Sequence, residues 1–273
     1  MYHLSMTRPL SLDGAVAVLT GSGSGIGRAC AHAFARRGAR VVVSDISLDR
    51  ARAVAAEIGA AGGQAAGIAV DATSEAELDA LRNEAVERHG RVDIVMNNVG
   101  VLAVGAPESL PDEAWHRTVE VNLLSIARSN RVFLPVLLGQ GRGHVVNTAS
   151  ASGLLAYGFD RLPYVTTKHA IVGMSEAMAI YLGPKGVGVT CLCPSGVITN
   201  ILEQVSVYGD QAATPRAPDH RIVEAEVVGE LTADAVEAGR FLVLTEPAVA
   251  DELRNRAADI ETYLAERIAE QLP

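Results

Sequence analysis

The stretch Thr20-Gly21-Ser22-Gly23-Ser24-Gly25-Ile26-Gly27 constrains this chain more than any other. It lies between a short apolar run, Ala15–Leu19, and a helical stretch reaching Arg37. A glycine cluster alone is a weak signal, but one that closes a strand and opens a helix is specific. Glycine allows a tight turn and close backbone approach, and a helix start offers unpaired N–H groups and a positive dipole end. Gly21, Gly23, Ser24, Gly25, Ile26 and Gly27 are therefore expected to cradle a pyrophosphate. Asp45 closes the next strand, Arg40–Ser44, about twenty residues on, where a carboxylate accepts ribose hydroxyls and repels a 2′-phosphate. With neutral Ile46 beside it, this pattern predicts NAD ahead of NADP; Arg50 is the nearest downstream cation.

Around that turn, strand and helix patterns alternate. Strands are expected at Ala65–Val70, Val92–Met96, His144–Thr148, Val187–Cys193 and Phe241–Thr245. Helices are expected at Ser47–Ala60, Ser74–His89, Pro111–Leu138 and Pro163–Leu182, with a charged terminal helix at Pro247–Gln271. Ser74 and Glu77 have capping-box spacing, and Pro135 is expected to disturb the end of its helix. Apolar strands joined by helices imply right-handed crossovers and a parallel sheet covered on both faces. In 273 residues this is one α/β domain, residues 1–273. Met1 and Met6 are both possible starts. The polar stretch Asn200–Glu230, with Pro215 and Pro218, is too long for an idle connection and predicts a substrate loop or lid.

Composition excludes several classes. Apolar residues are 49% of the chain and charged residues 20%, which is incompatible with disorder. No apolar run is long enough to span a bilayer. The net charge of −9 and the lack of a basic stripe argue against nucleic acid or an anionic membrane as partner. Three sparse cysteines, Cys30, Cys191 and Cys193, form no disulfide framework and have no metal-ligand neighbours, so no metal is expected. Buried thiols point to a cytoplasmic location.

The chain has two lysines, Lys168 and Lys185, against twenty-one arginines. Lys168 stands four residues after Tyr164, on one face of a helix. A nearby ammonium stabilises a phenolate and is expected to lower a tyrosine pKa from near 10.

From about Leu12 to Thr199 these motifs together resemble the short-chain dehydrogenase/reductase family in its single-domain form. Beyond the glycine turn and the Tyr164–Lys168 pair, Asn97-Asn98-Val99-Gly100 is similar to that family's Asn-Asn-Ala-Gly segment. Asp71 stands at the adenine-contacting acid, and Asn122 and Ser150 match the catalytic Asn and Ser. The resemblance implies a doubly wound Rossmann fold with a seven-stranded, mainly parallel sheet. It implies catalysis by Asn122, Ser150, Tyr164 and Lys168. It also implies cofactor contacts from Asp71, Ala72, Asn98, Val99, Gly100, Val121, Tyr164, Lys168, Pro194, Val197 and Thr199. The implied activity is hydride transfer between NAD(H) and a secondary alcohol or ketone. An NADP-dependent carbonyl reductase and a silent NAD-binding regulator are the alternatives. The partners implied are a small alcohol or carbonyl substrate and further copies of the chain, as dimer or tetramer.

The chain also departs from the family pattern. Ser195 replaces the usual glycine after Pro194, the Ser150–Tyr164 spacing is one residue longer, and the usual Val-Asp-Gly-Gly ending is absent. Asn97 is expected to bond neighbouring strands, and Ser152 and His169 to serve packing.

Overall fold

The computed structural model describes residues 9–199, 204–209 and 220–270. The expectations for Met1, Met6, Gln271 and the 200–203 and 210–219 parts of the proposed lid lie outside the described residues.

Seven strands form the central sheet: β1 Val16–Leu19, β2 Arg40–Asp45, β3 Gln64–Ala69, β4 Ile94–Asn97, β5 Gly143–Thr148, β6 Val187–Cys193 and β7 Leu242–Leu244. Their order is β7-β6-β5-β4-β1-β2-β3, and every neighbouring pair is parallel. The order reverses between β1 and β4, which opens a crevice at the carboxyl ends of those strands. Helices α1 Gly25–Arg36, α2 Leu48–Ala60, α3 Glu75–His89, α4 Asp112–Val119, α5 Ser125–Gln140, α6 Leu162–Leu182 and α7 Ala225–Ala238 surround the sheet.

Alternation along the strands feeds two cores. Ala17, Leu19, Ile94 and Met96 pack with Phe34 of α1 and with Val228 and Val236 of α7. Val18, Val42, Val95 and Val145 pack on the other face with Leu78, Leu81, Phe133 and Leu137. Successive strand residues point to opposite faces, so a sheet buried on both sides requires near-continuous apolar strands. Between β4 and β5, Asn97 Nδ2 donates to Asn147 Oδ1 at 2.9 Å, the strand-bridging role expected of it.

Several expected elements are corrected. Pro111–Leu138 is not one α-helix: a π-turn at Glu120–Leu124 separates α4 from α5. Pro135 does not end its helix; α5 continues to Gln140, where Gly141 at φ 64° stops it. Ser74 accepts from Glu77 N at 3.3 Å, but the Glu77 carboxylate takes Asp71 N at 2.8 Å instead of closing the capping box. The last six residues of Asn200–Glu230 belong to α7, which the sequence pattern obscured behind Gly229. That glycine lets α7 approach α1, since a Cβ there would stand 2.6 Å from the Ala29 carbonyl oxygen. The terminal helix is two, α8 Ala248–Ala258 and α9 Ile260–Glu270, broken at Asp259, whose extended backbone leaves the helical region. Short parallel pairs join Leu102–Val104 to Val205–Val207 and Val197–Ile198 to Val223–Glu224. No described helix is long and apolar enough to cross a membrane.

Candidate active site

A cleft of about 1560 Å³ lies at the carboxyl ends of the strands, at the reversal in strand order. Gly21, Ser24, Gly25 and Ile26 line one end. Ser24 caps α1 without a side-chain hydrogen bond, so among the described residues its side chain leaves the first-turn N–H groups of this 12-residue helix to the cleft. Gly21 adopts φ 60°, a left-handed turn that favours glycine. Gly23 and Gly27 shape the turn without lining this cleft. Gly23 N donates to Asp45 Oδ2 at 3.1 Å and borders a neighbouring recess. A Cβ on Gly27 would come within 2.3 Å of the Gly21 oxygen.

The Asp45 carboxylate is fixed from three sides. It accepts from Gly23 N and from Ser47 N at 3.0 Å, and Arg50 Nε lies 3.5 Å from its Oδ1. Ile46 stands beside it, 70% exposed at the cleft. Asp71 and Ala72 continue this wall, with Asp71 Oδ1 accepting from Thr73 N and Oγ1. Asn98 ties the turn to β5, donating from Nδ2 to Gly21 O at 2.9 Å and accepting from Thr148 Oγ1 at 3.1 Å. Val99, Gly100 and Val121 form the middle of the cleft, and Pro194, Val197 and Thr199 also line it.

At the other end stand Ser150, after β5, and Tyr164 and Lys168 on the first turns of α6. Pro163 sits at the start of that helix, where its missing N–H costs nothing. Ser150 Oγ accepts from Ser152 N at 3.1 Å and donates to Pro194 O at 3.5 Å. Lys168 is 3% exposed, and its Nζ donates to Thr148 O at 2.8 Å, 5.5 Å from the centre of the Tyr164 ring. Burial lowers its pKa to about 8. Burial raises that of Tyr164, and the Ser150 hydroxyl and Arg161 work against the rise. The expected depression of the phenol by Lys168 is therefore not met in this arrangement: desolvation outweighs the attractive groups, and the ammonium is turned toward a carbonyl.

Asn122 does not line the cleft. It is fully buried in the π-turn, accepting from Val101 N at 2.8 Å and donating to Val101 O at 3.0 Å. Its Nδ2 also donates to Thr167 Oγ1 at 3.4 Å, which ties the π-turn to α6 one residue before Lys168.

The structure adds residues that the motifs did not reveal. Tyr157, Arg161, Ser195 and His220 all line the cleft, as does Ser152, expected only to pack. Tyr157 and Arg161 fall in the lengthened loop and Ser195 is the substituted glycine, so the departures from the pattern carried the signal. His220 had none, since no motif within the polar Asn200–Glu230 sequence points to it. His169 bonds the Val165 carbonyl at 2.9 Å, in keeping with packing. The three cysteines are buried and free, and burial pushes the Cys30 thiol up to about 12.

Fold and site together define a doubly wound α/β protein with one deep cleft at the carboxyl ends of its strands, and comparison with known proteins specifies its family. The family model described as short chain dehydrogenase matches residues 15–207. Cyclohexanol dehydrogenase of an Acinetobacter species is 34% identical, over 80% of this chain and 86% of that one. D-beta-hydroxybutyrate dehydrogenase of Rhizobium meliloti is 34% identical, over 85% and 88%. A crystal structure of a short chain dehydrogenase/reductase from Burkholderia phymatum in complex with NAD superposes with a TM-score of 0.82 at 32% identity, covering 93% of this chain and 96% of that one. This chain belongs to the short chain dehydrogenase family and is an oxidoreductase.

Proposed function

We propose that this protein interconverts a secondary alcohol and a ketone using NAD(H). One observation carries the reading: a single cleft joins the uncapped start of α1 and Asp45 at one end to Ser150, Tyr164 and Lys168 at the other. The residues fit a dinucleotide. The α1 N-terminus and its glycines suit a pyrophosphate, and the Asp45 carboxylate suits a ribose diol. Asp71 and Ala72 would flank the adenine, with Asn98, Val99, Gly100 and Val121 along the middle. Pro194, Val197 and Thr199 would hold the nicotinamide end. The names of the two dehydrogenases above, and the NAD in the Burkholderia complex, support the same reading.

When bound, the nicotinamide supplies the acceptor for the hydride leaving the carbinol carbon. Ser150 donates a hydrogen bond to the substrate oxygen. Tyr164, as phenolate, takes the hydroxyl proton, and as phenol returns it in the reductive direction. Lys168 has two N–H donors beyond the one given to Thr148, and with a dinucleotide in the cleft these would serve a ribose hydroxyl and the Tyr164 oxygen as it loses its proton. Asn122 ties the Val101 backbone to Thr167 of α6 and so fixes the cleft wall beside the lysine's helix. The whole chain acts as one catalytic domain, with Gln204–Gly209 and His220 closing over the substrate and copies of the chain paired in a homo-oligomer.

Cofactor choice is tested by dissociation constants for NADH and NADPH, read from nicotinamide fluorescence. The reading expects NADH to bind more tightly and Asp45→Ala to narrow the gap. Equal or tighter NADPH binding by the unaltered protein sinks the Asp45 argument; Arg50 would then be the group receiving the 2′-phosphate.

A further inference from the structure

Three features that set this chain apart from the family pattern meet at His220: Ser195 in place of glycine, the lengthened loop before Tyr164, and the rebuilt carboxyl terminus. Ser195 Oγ lies 2.7 Å from His220 Nδ1, and His220 Nε2 lies 2.8 Å from Glu252 Oε1 on α8. Tyr157, from the loop, meets the imidazole edge-on, with ring centres 5.1 Å apart at 87°. The His220 side chain is 7% exposed. Ser195, His220 and Tyr157 line the cleft, and Glu252 stands behind them.

The polarity of this chain of hydrogen bonds follows from its far end. An ionised carboxylate only accepts, so a neutral imidazole donates to it from Nε2 and leaves Nδ1 an acceptor. The Ser195 hydroxyl then donates to Nδ1, and its oxygen offers its lone pairs to the cleft. The backbone fixes where that oxygen sits. Ser195 N donates to Thr245 Oγ1 at 2.8 Å, and the preceding Pro194 carbonyl accepts from Ser150 Oγ at 3.5 Å. Ser195 is thus one residue from a group bonded to the serine that meets the reacting oxygen. Glycine there would leave a buried imidazole nitrogen without its partner, a costly arrangement.

We propose that Ser195, oriented by His220 and Glu252, accepts a hydrogen bond from a second hydroxyl of the substrate, so that the site selects vicinal diols and α-hydroxyketones over monofunctional alcohols and ketones. The inference rests on the dehydrogenase reading above. Ser195 touches the substrate, while His220 and Glu252 are positioning residues. Tyr157 is a protonated wall of the same pocket, since burial and the Glu252 carboxylate push its phenol up. The carboxyl-terminal helices thereby join the active site through Glu252 and through the packing of Tyr157 with Val249, Leu253 and Tyr263.

The test compares kcat/KM for a vicinal cyclohexanediol and for cyclohexanol with NAD⁺. The intact protein should favour the diol by about tenfold, the scale of one well-placed hydrogen bond. Ser195→Gly should collapse that ratio toward unity, chiefly through KM, and Ser195→Thr, which keeps the hydroxyl, should restore it. Glu252→Gln, which lets the imidazole turn, should lower the ratio without removing either side chain. Equal kcat/KM for the two substrates in the intact protein overturns the inference alone, as does a Ser195→Gly protein that keeps the ratio. Turnover of neither, with NAD⁺ or NADP⁺, overturns the dehydrogenase reading and this inference with it.

Discussion

At the scale of single residues, two side chains make separate claims. Tyr164 is proposed as the proton acceptor, and Tyr164→Phe removes only its hydroxyl. General acid–base catalysis is worth about 10²–10⁴-fold, so kcat should fall by that factor while the NADH dissociation constant stays within a few-fold. A variant with most of its kcat would take Tyr164 out of the mechanism. His144 makes a claim about stability. It is fully buried, its Nε2 bonds Thr190 Oγ1 at 2.8 Å, and Gly188 leaves room for its ring. Burial lowers its pKa from 6.5 to about 4. Between those values the unfolded chain binds a proton that the folded chain refuses, so stability falls as pH drops from 6.5 toward 4. The loss amounts to about 3 kcal/mol at most. His144→Gln should flatten that part of the urea-midpoint profile against pH. An unchanged acid slope would remove His144 from the account.

At the scale of elements, the glycine turn, the sheet strands and the start of α6 were legible because each has a local cause. A strand-to-helix glycine cluster, alternation in a doubly covered sheet, and the Tyr164–Lys168 spacing all act within a few residues. What escaped depends on contacts distant in sequence. Helix α7 is held to α1 by Gly229 and by Arg37, which pairs with Glu230, Asp234 and Glu237. None of these partners is visible from the local pattern of α7. The π-turn around Asn122 escaped for a similar reason: its register serves a bond to Val101, twenty-one residues back. Asp259 breaks the terminal helix and caps α9 by accepting from Thr262 N at 3.1 Å, a stop with neither glycine nor proline to announce it. The proposed closing segment is tested at this scale. Gln204–Gly209 is anchored by the Val205–Val207 pairing to Leu102–Val104, and His220 faces the cleft. Hydrogen exchange around these residues should slow when NADH and a substrate analogue are added together. Unchanged protection would count against a lid.

At the scale of the whole molecule, the surface of α6 bears on assembly. The helix buries Ile171 and Leu182 but leaves Ile180 79% and Tyr181 55% exposed. Apolar side chains on the outer face of a helix whose first turns carry the proposed chemistry favour a two-fold pairing of copies. Light scattering at micromolar concentration should give at least twice the mass of one chain, and the single-chain mass would refute the pairing. The central claim is hydride transfer, and it is tested most directly with a secondary alcohol deuterated at its carbinol carbon, incubated with NAD⁺ and the protein. The account expects a ketone together with reduced cofactor carrying that deuterium at the nicotinamide, and neither product from Tyr164→Phe at comparable rate. Reduced cofactor without the label, or ketone formed equally well without Tyr164, would contradict it.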